Sequence, residues 1–161
     1  TDLSHISDLT NRGKAKGKVI HVKGLVKDNT CKPYSNSKLT IWQANSHGRY
    51  NHKGDLSQYN SDKHFNGYMK IKSDNMGFYK FTTIVPGSYK ISNTVQRPPH
   101  IHIFIETETG KSLITQLYFK DHPMNRNDFL FNSAPNNQRL ELDLNLSSDS
   151  FSNSVSYDFI I

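Results

Sequence analysis

Apolar residues in this chain recur at every second position in short runs and never settle into a helical repeat, which restricts it to a fold built from strands. Leu140, Leu142, Leu144 and Leu146 alternate with Glu141, Asp143 and Asn145. Successive side chains of a strand point to opposite faces, so this run has one dry and one wet side. Val19 to Lys27, Lys38 to Ala44, Tyr68 to Ser73, Phe78 to Ile84, Ser88 to Ile91, Ser112 to Phe119 and Phe151 to Ile161 also have strand character. Turn residues punctuate them: Asp28-Asn29-Thr30, Pro86-Gly87, and Asp74-Asn75-Met76-Gly77, which folds Tyr68–Ser73 and Phe78–Ile84 into a hairpin. Eight or nine short strands at such spacing predict an all-β sandwich or barrel. A chain of 161 residues is most simply one domain, able to bury about 70% of its unfolded surface. Residues 1–16 are polar and aperiodic and read as an arm or edge covering, with the domain over 17–161.

Composition narrows the function classes. Twenty basic and 14 acidic residues leave a net charge of +6, but the lysines are scattered over strands and turns without a basic run or basic helical face. That pattern argues against nucleic acid and for a solvated surface with a mild pull on small anions. Cys31, the only cysteine, forbids an intrachain disulfide and is expected to be a structural thiol. No apolar run approaches the ~20 residues of a membrane span. The first twenty residues lack the apolar centre of a secretory signal, so a cytoplasmic location is favoured over a periplasmic or secreted one reached after removal of a leader.

The chemistry concentrates in Arg97-Pro98-Pro99-His100-Ile101-His102. The two prolines force an extended entry, and the alternation that follows puts His100 and His102 on one face while Ile101, Ile103 and Ile105 face a core. Two imidazoles two residues apart on a rigid strand can grip one metal ion. Asn45 to Asn66 is polar and patternless, a loop of about 20 residues of the kind that is often functional, and it contains Tyr50. Tyr89 sits on the short strand before the histidines.

Five strings stand in order along the chain: Ile41-Trp42-Gln43-Ala44-Asn45, Gly48-Arg49-Tyr50 with His52 and Asp55, Thr83 to Tyr89, Arg97 to His102, and Leu113 to Phe119. In this order and spacing, over roughly residues 17 to 130, the chain resembles the intradiol ring-cleavage dioxygenases, the non-haem iron(III) family that includes the catechol and protocatechuate enzymes. The resemblance implies the family's β-sandwich of mixed strands as catalytic core, and one Fe(III) per chain. It implies Tyr50, Tyr89, His100 and His102 as metal ligands, with Tyr89 the tyrosinate that departs when substrate binds. Arg97 matches the guanidinium beside the substrate, Gln116 a glutamine just outside the ligand set, and Trp42 a tryptophan close to it. The implied partners are a catecholic small molecule and O2, and the implied product is a cis,cis-muconate type diacid.

The residue types suit that chemistry. Ferric iron is a hard Lewis acid that lowers a phenol's pKa from about 10, so that tyrosine binds as tyrosinate. Two tyrosinates and a hydroxide balance its three charges, and two neutral imidazoles complete the set. The sequence also departs from the family. It lacks the N-terminal helical segment through which catechol and hydroxyquinol members dimerise, so association by that route is not expected, although a second copy of the chain remains an open partner. The segment from Lys90 to Gln96 is short and lacks the proline-rich run and tryptophan of familiar members, which leaves substrate identity open; Lys90 reads as solvated. Two rivals stand beside this reading: a non-catalytic β-sandwich binding module with a degenerate site, and a zinc site on His100, His102 and water, for which tyrosinate is a poor ligand. His5, His21, His47 and His122 read as surface or loop histidines, with His52 and His64 further candidates near the site.

Overall fold

A computed structural model of the chain describes residues 7–50, 59–135, 139–142 and 153–161. Two sheets face each other. The larger has the order β3-β2-β7-β8-β9, from Tyr68–Lys72, Lys38–Trp42, His100–Glu106, Ser112–Phe119 and Glu141–Leu142; all neighbours are antiparallel except β8 and β9. The smaller is centred on β1 (Val19–Lys27), antiparallel to β4 (Phe78–Ile84) on one side and parallel to β10 (Ser154–Ser156) and β11 (Phe159–Ile160) on the other. A separate two-stranded ribbon joins β5 (Tyr89–Lys90) to β6 (Gln96–Arg97). Ser7 and Leu9 bond to Thr82 of β4, and the Leu9 side chain is fully buried.

The inner faces carry the apolar half of each alternation. Ile20, Val22 and Val26 of β1 and Tyr79, Phe81 and Ile84 of β4 meet Leu39, Ile41, Ile101, Ile103, Ile105, Leu117 and Phe119 in one core. Each fully buried aliphatic or aromatic side chain contributes roughly 1.5–3 kcal/mol relative to exposure, so this interdigitated layer is the main force holding the sheets together. Gln43, just past β2, crosses between the sheets: its Nε2 donates to the Ile84 carbonyl (3.0 Å) and its Oε1 accepts from the Thr83 hydroxyl (2.7 Å).

The expected β-sandwich is what forms, with local differences. The strand expected over 151–161 is two short strands in its described part, separated at Tyr157–Asp158, where the Asp158 carboxylate takes over the Leu25 N–H (3.0 Å). Of the leucine run at 140–146, β9 pairs beside Tyr118 and Phe119, and 143–146 lie outside the described residues. The strand at 38–44 ends at Trp42, and a five-residue helix, α1 (Phe129–Ser133), forms where no helix was expected. Its N-cap explains it: the Asp128 side chain accepts from the Phe131 N–H. Cys31, expected to be structural, is exposed in a turn with positive φ.

Candidate metal centre

The register of the larger sheet builds the site before any loop is considered. Trp42 pairs with Tyr68 on one side and His102 on the other, and His102 pairs with Gln116; one step along, His100 pairs with Tyr118. All of these lie on the face turned away from Ile101 and Ile103, because side chains alternate along each strand. The Trp42 and His102 rings stack at 4.9 Å with planes 4° apart, which fixes the imidazole's orientation. The His100 ring is fixed by its other nitrogen. Nδ1 lies 2.7 Å from the Pro98 carbonyl, which can only accept, so Nδ1 carries the proton and Nε2 presents a lone pair.

The two tyrosines come from different elements. Asn45 shapes the turn that delivers Tyr50: its Oδ1 accepts from the His47 and Arg49 N–H groups and its Nδ2 donates to the Asn60 carbonyl. Gly48 has φ +87°, and a Cβ there would strike the Ser88 carbonyl and touch the Tyr89 Cβ; Gly87 packs as closely on the Gly48 nitrogen. Absent side chains at these two positions let the Tyr50 turn press against the strand that carries Tyr89. Tyr89 itself is held on the β5–β6 ribbon, directly opposite Arg97.

These elements bring four donor atoms together. Tyr50 Oη is 3.0 Å from His102 Nε2 and 3.2 Å from Tyr89 Oη, and Tyr89 Oη is 3.3 Å from His100 Nε2. Burial pushes His100 down to about 4, with Arg97 adding to the shift against the opposing Pro98 bond. It pushes His102 down to about 3, helped by His100 and Arg97. Both imidazoles are therefore neutral at pH 7, the form in which they ligate metals.

The spacing also fits a common ion. Atoms each about 2 Å from one metal stand about 3 Å from each other at ordinary coordination angles. Among the described residues no three His, Cys, Asp or Glu side chains converge, so two of the four donors here are phenols. That set suits a hard trivalent ion such as ferric iron and suits zinc poorly. A cleft of about 470 Å³ lined by Trp42, Tyr50, Tyr68, Phe104, Thr40, Asn66 and Gly67 adjoins the donors.

Arg97 lies behind the histidines, buried at 4% exposure. Its Nε donates to Asp128 Oδ1 at 2.6 Å, and its Nη2 donates to Gln116 Oε1 (2.7 Å), Tyr118 Oη (3.1 Å) and Asp128 Oδ2 (3.3 Å). Burial alone would lower the guanidinium's pKa, but Asp128 more than offsets this and holds it above its ordinary value. Gln116 thus touches Arg97. Other candidates do not join the group. His64 lies beside Asn11, Lys90 is exposed with its N–H bonded to Tyr59 Oη, and His52 and Asp55 lie outside the described residues.

The sequence reading assigned no role of their own to Asp128, Tyr118, Asn45 or Gln43, although the last three stand within its five strings. Asp128 alone had a usable signal, an N-cap type residue directly before Phe129-Leu130-Phe131. The others are ordinary in sequence and acquire their roles from partners far along the chain.

The Dioxygenase family model matches residues 2–161. The protocatechuate 3,4-dioxygenase beta chain of Burkholderia cepacia is 38% identical over 126 residues, 76% of this chain and 54% of that one. The catechol 1,2-dioxygenase of Acinetobacter baylyi is 28% identical over 128 residues, 71% of this chain and 40% of its own length. The chain thus spans about half the length of the relatives it matches. Among solved structures, the dioxygenase domain of a dioxygenase and carbohydrate-binding protein fusion from Streptomyces sp. SirexAA-E superposes with a TM-score of 0.74 at 27% identity. It covers 96% of this chain and 86% of that one. The family match along almost the whole chain, together with the shared fold, shows that the chain belongs to the intradiol ring-cleavage dioxygenase family.

Proposed function

We propose that this chain cleaves the ring of a catechol-type diol between its two hydroxyl-bearing carbons, using ferric iron and O2, to give a cis,cis-muconate type diacid. The observation that carries this reading is the convergence of two phenols and two neutral imidazoles, linked from His102 through Tyr50 and Tyr89 to His100 by contacts of 3.0–3.3 Å. Tyr50, Tyr89, His100 and His102 would hold the metal. Bound ferric iron supplies a Lewis-acidic centre that activates a chelated catechol toward dioxygen.

The protein's own groups have distinct tasks. His100 and His102 are anchored on β7 by Pro98 and Trp42, so they serve as fixed points. Tyr50 is held by the Asn45 turn and stays in place. Tyr89 is carried by a two-residue strand outside the main sheets, which suits a ligand that swings away and takes a proton from the incoming diol at Oη. Arg97 is a fixed cation beside the histidines. It stabilises negative charge that develops on the substrate ring, an effect strong where water is excluded.

An iron assay with a visible absorption spectrum tests the reading, taken before and after anaerobic addition of catechol and protocatechuate and followed by oxygen uptake. A tyrosinate-to-iron band that shifts with a catechol, and uptake of O2 on aeration, is the expected result. A protein that stays colourless after reconstitution with iron overturns it and leaves a binding module.

A further inference from the structure

We propose that Asp128 and Tyr118 form a clamp that orients Arg97, making Asp128 a positioning residue for the ring-cleavage step. This rests on the function proposed above. Arg97 offers donors at Nε, Nη1 and Nη2. Asp128 takes Nε and reaches Nη2, while Gln116 and Tyr118 take the rest of Nη2. Among the described residues Nη1 has no hydrogen-bond partner. With Nε and Nη2 occupied, the two N–H groups of Nη1 are the donor pair left for a ligand.

The clamp is itself rigidly held. Asp128 is 2% exposed, accepts from the Phe131 N–H at 3.0 Å as the N-cap of α1, and receives the Tyr118 hydroxyl at 3.0 Å. Tyr118 is the cross-strand neighbour of His100, so one β7–β8 pair links the ligand side of the site to the Arg97 side. The Phe131 ring packs edge-on against the Tyr118 ring at 5.0 Å, and the Phe129 ring lies 5.6 Å from the guanidinium carbon. The helix that Asp128 starts therefore closes over the pair it organises. Arg97 has few rotamers available that keep all four contacts, and a small displacement of Nη1 would lower turnover without removing the charge.

Asp128→Asn separates positioning from folding, since asparagine caps a helix as well as aspartate does. With the amide oxygen kept at the Oδ2 position, which accepts from the Phe131 N–H, Nη2 and the Tyr118 hydroxyl, it places an amide N–H2 against the Arg97 Nε–H at the Oδ1 position. In protein without added metal, the Arg97 Nε–H, assigned in nitrogen-15 spectra by its loss in Arg97→Lys, should exchange with solvent about tenfold faster in Asp128→Asn. In iron-loaded protein kcat should fall by about 10²-fold with KM nearly unchanged. The same substitution in an Arg97→Ala background should change kcat by less than about twofold, because the two residues act as a unit. Equal exchange rates, or an undiminished cost in the Arg97→Ala background, would overturn the clamp. If Asp128→Asn does not fold, Tyr118→Phe carries the same comparisons with a smaller expected loss, and equal exchange there overturns the clamp too. An iron-loaded wild type that cleaves no catechol sinks the proposed function alone, and the exchange comparison still decides the clamp.

Discussion

The two faces of the five-stranded sheet are made by the same strands and obey different rules. On the inner face Leu39, Ile41, Ile101, Ile103, Ile105, Leu117 and Phe119 are all fully buried and interchangeable in kind, since what they must supply is volume and apolar area. On the outer face, one residue away in each strand, Trp42, His100, His102, Gln116 and Tyr118 hold one another at hydrogen-bond or stacking distance. Here chemistry and direction decide. Even this face is not uniform, because Ile114, two rows from the site, is 74% exposed.

Substitutions on the two faces should therefore fail in different ways. The largest effect belongs to the donors: His100→Ala or Tyr50→Phe should lose nearly all bound iron and colour while keeping the fold, read by metal analysis and circular dichroism. Arg97→Ala should retain iron and lose turnover by about 10²–10³-fold, the loss typical for a missing charge-stabilising donor; full activity in iron-checked protein would remove the role assigned to it. Ile103→Ala on the inner face should cost ~2–5 kcal/mol in urea unfolding while activity per folded molecule stays near wild type. A loss of iron at equal stability would break the distinction between the faces.

Asp128→Asn should cost less, about 1–3 kcal/mol at pH 7, with a pH dependence of known sign. Burial alone would raise the Asp128 carboxyl's pKa, but Arg97, the Phe131 N–H and Tyr118 hold it below its ordinary value. The unfolded chain therefore binds more protons near pH 3–4. The stabilisation is present above about pH 3.9 and is lost as pH falls through the folded value, so the wild-type advantage in urea midpoint should shrink there. Ile114→Thr is the smallest, within about 0.5 kcal/mol and without effect on iron or turnover.

Much of this was legible in the residues themselves. Period-two alternation placed β1, β4 and β8 at the ends observed, and put His100 and His102 opposite Ile101 and Ile103. Tyr50 and Tyr89 were recognisable only through the family strings around them, since an isolated tyrosine has no signature of its own. Asp128 and Tyr118 escaped because their meaning is a distance. Asp128 is 31 positions from Arg97, and nothing local to either residue encodes the 2.6 Å contact.

The sequence by itself determined the class of fold, the sidedness of each strand and the kinds of donor available, because alternation and side-chain chemistry are local properties of the chain. The tertiary structure decided which donors meet. Convergence of Tyr50 with Tyr89 required two facing glycines and the Asn45 turn, and the seating of Arg97 required a helix cap from the far side of β8. Those contacts exist only after the sheets have packed, since hydrogen bonds and close backbone approaches depend on three-dimensional separation and not on order along the chain.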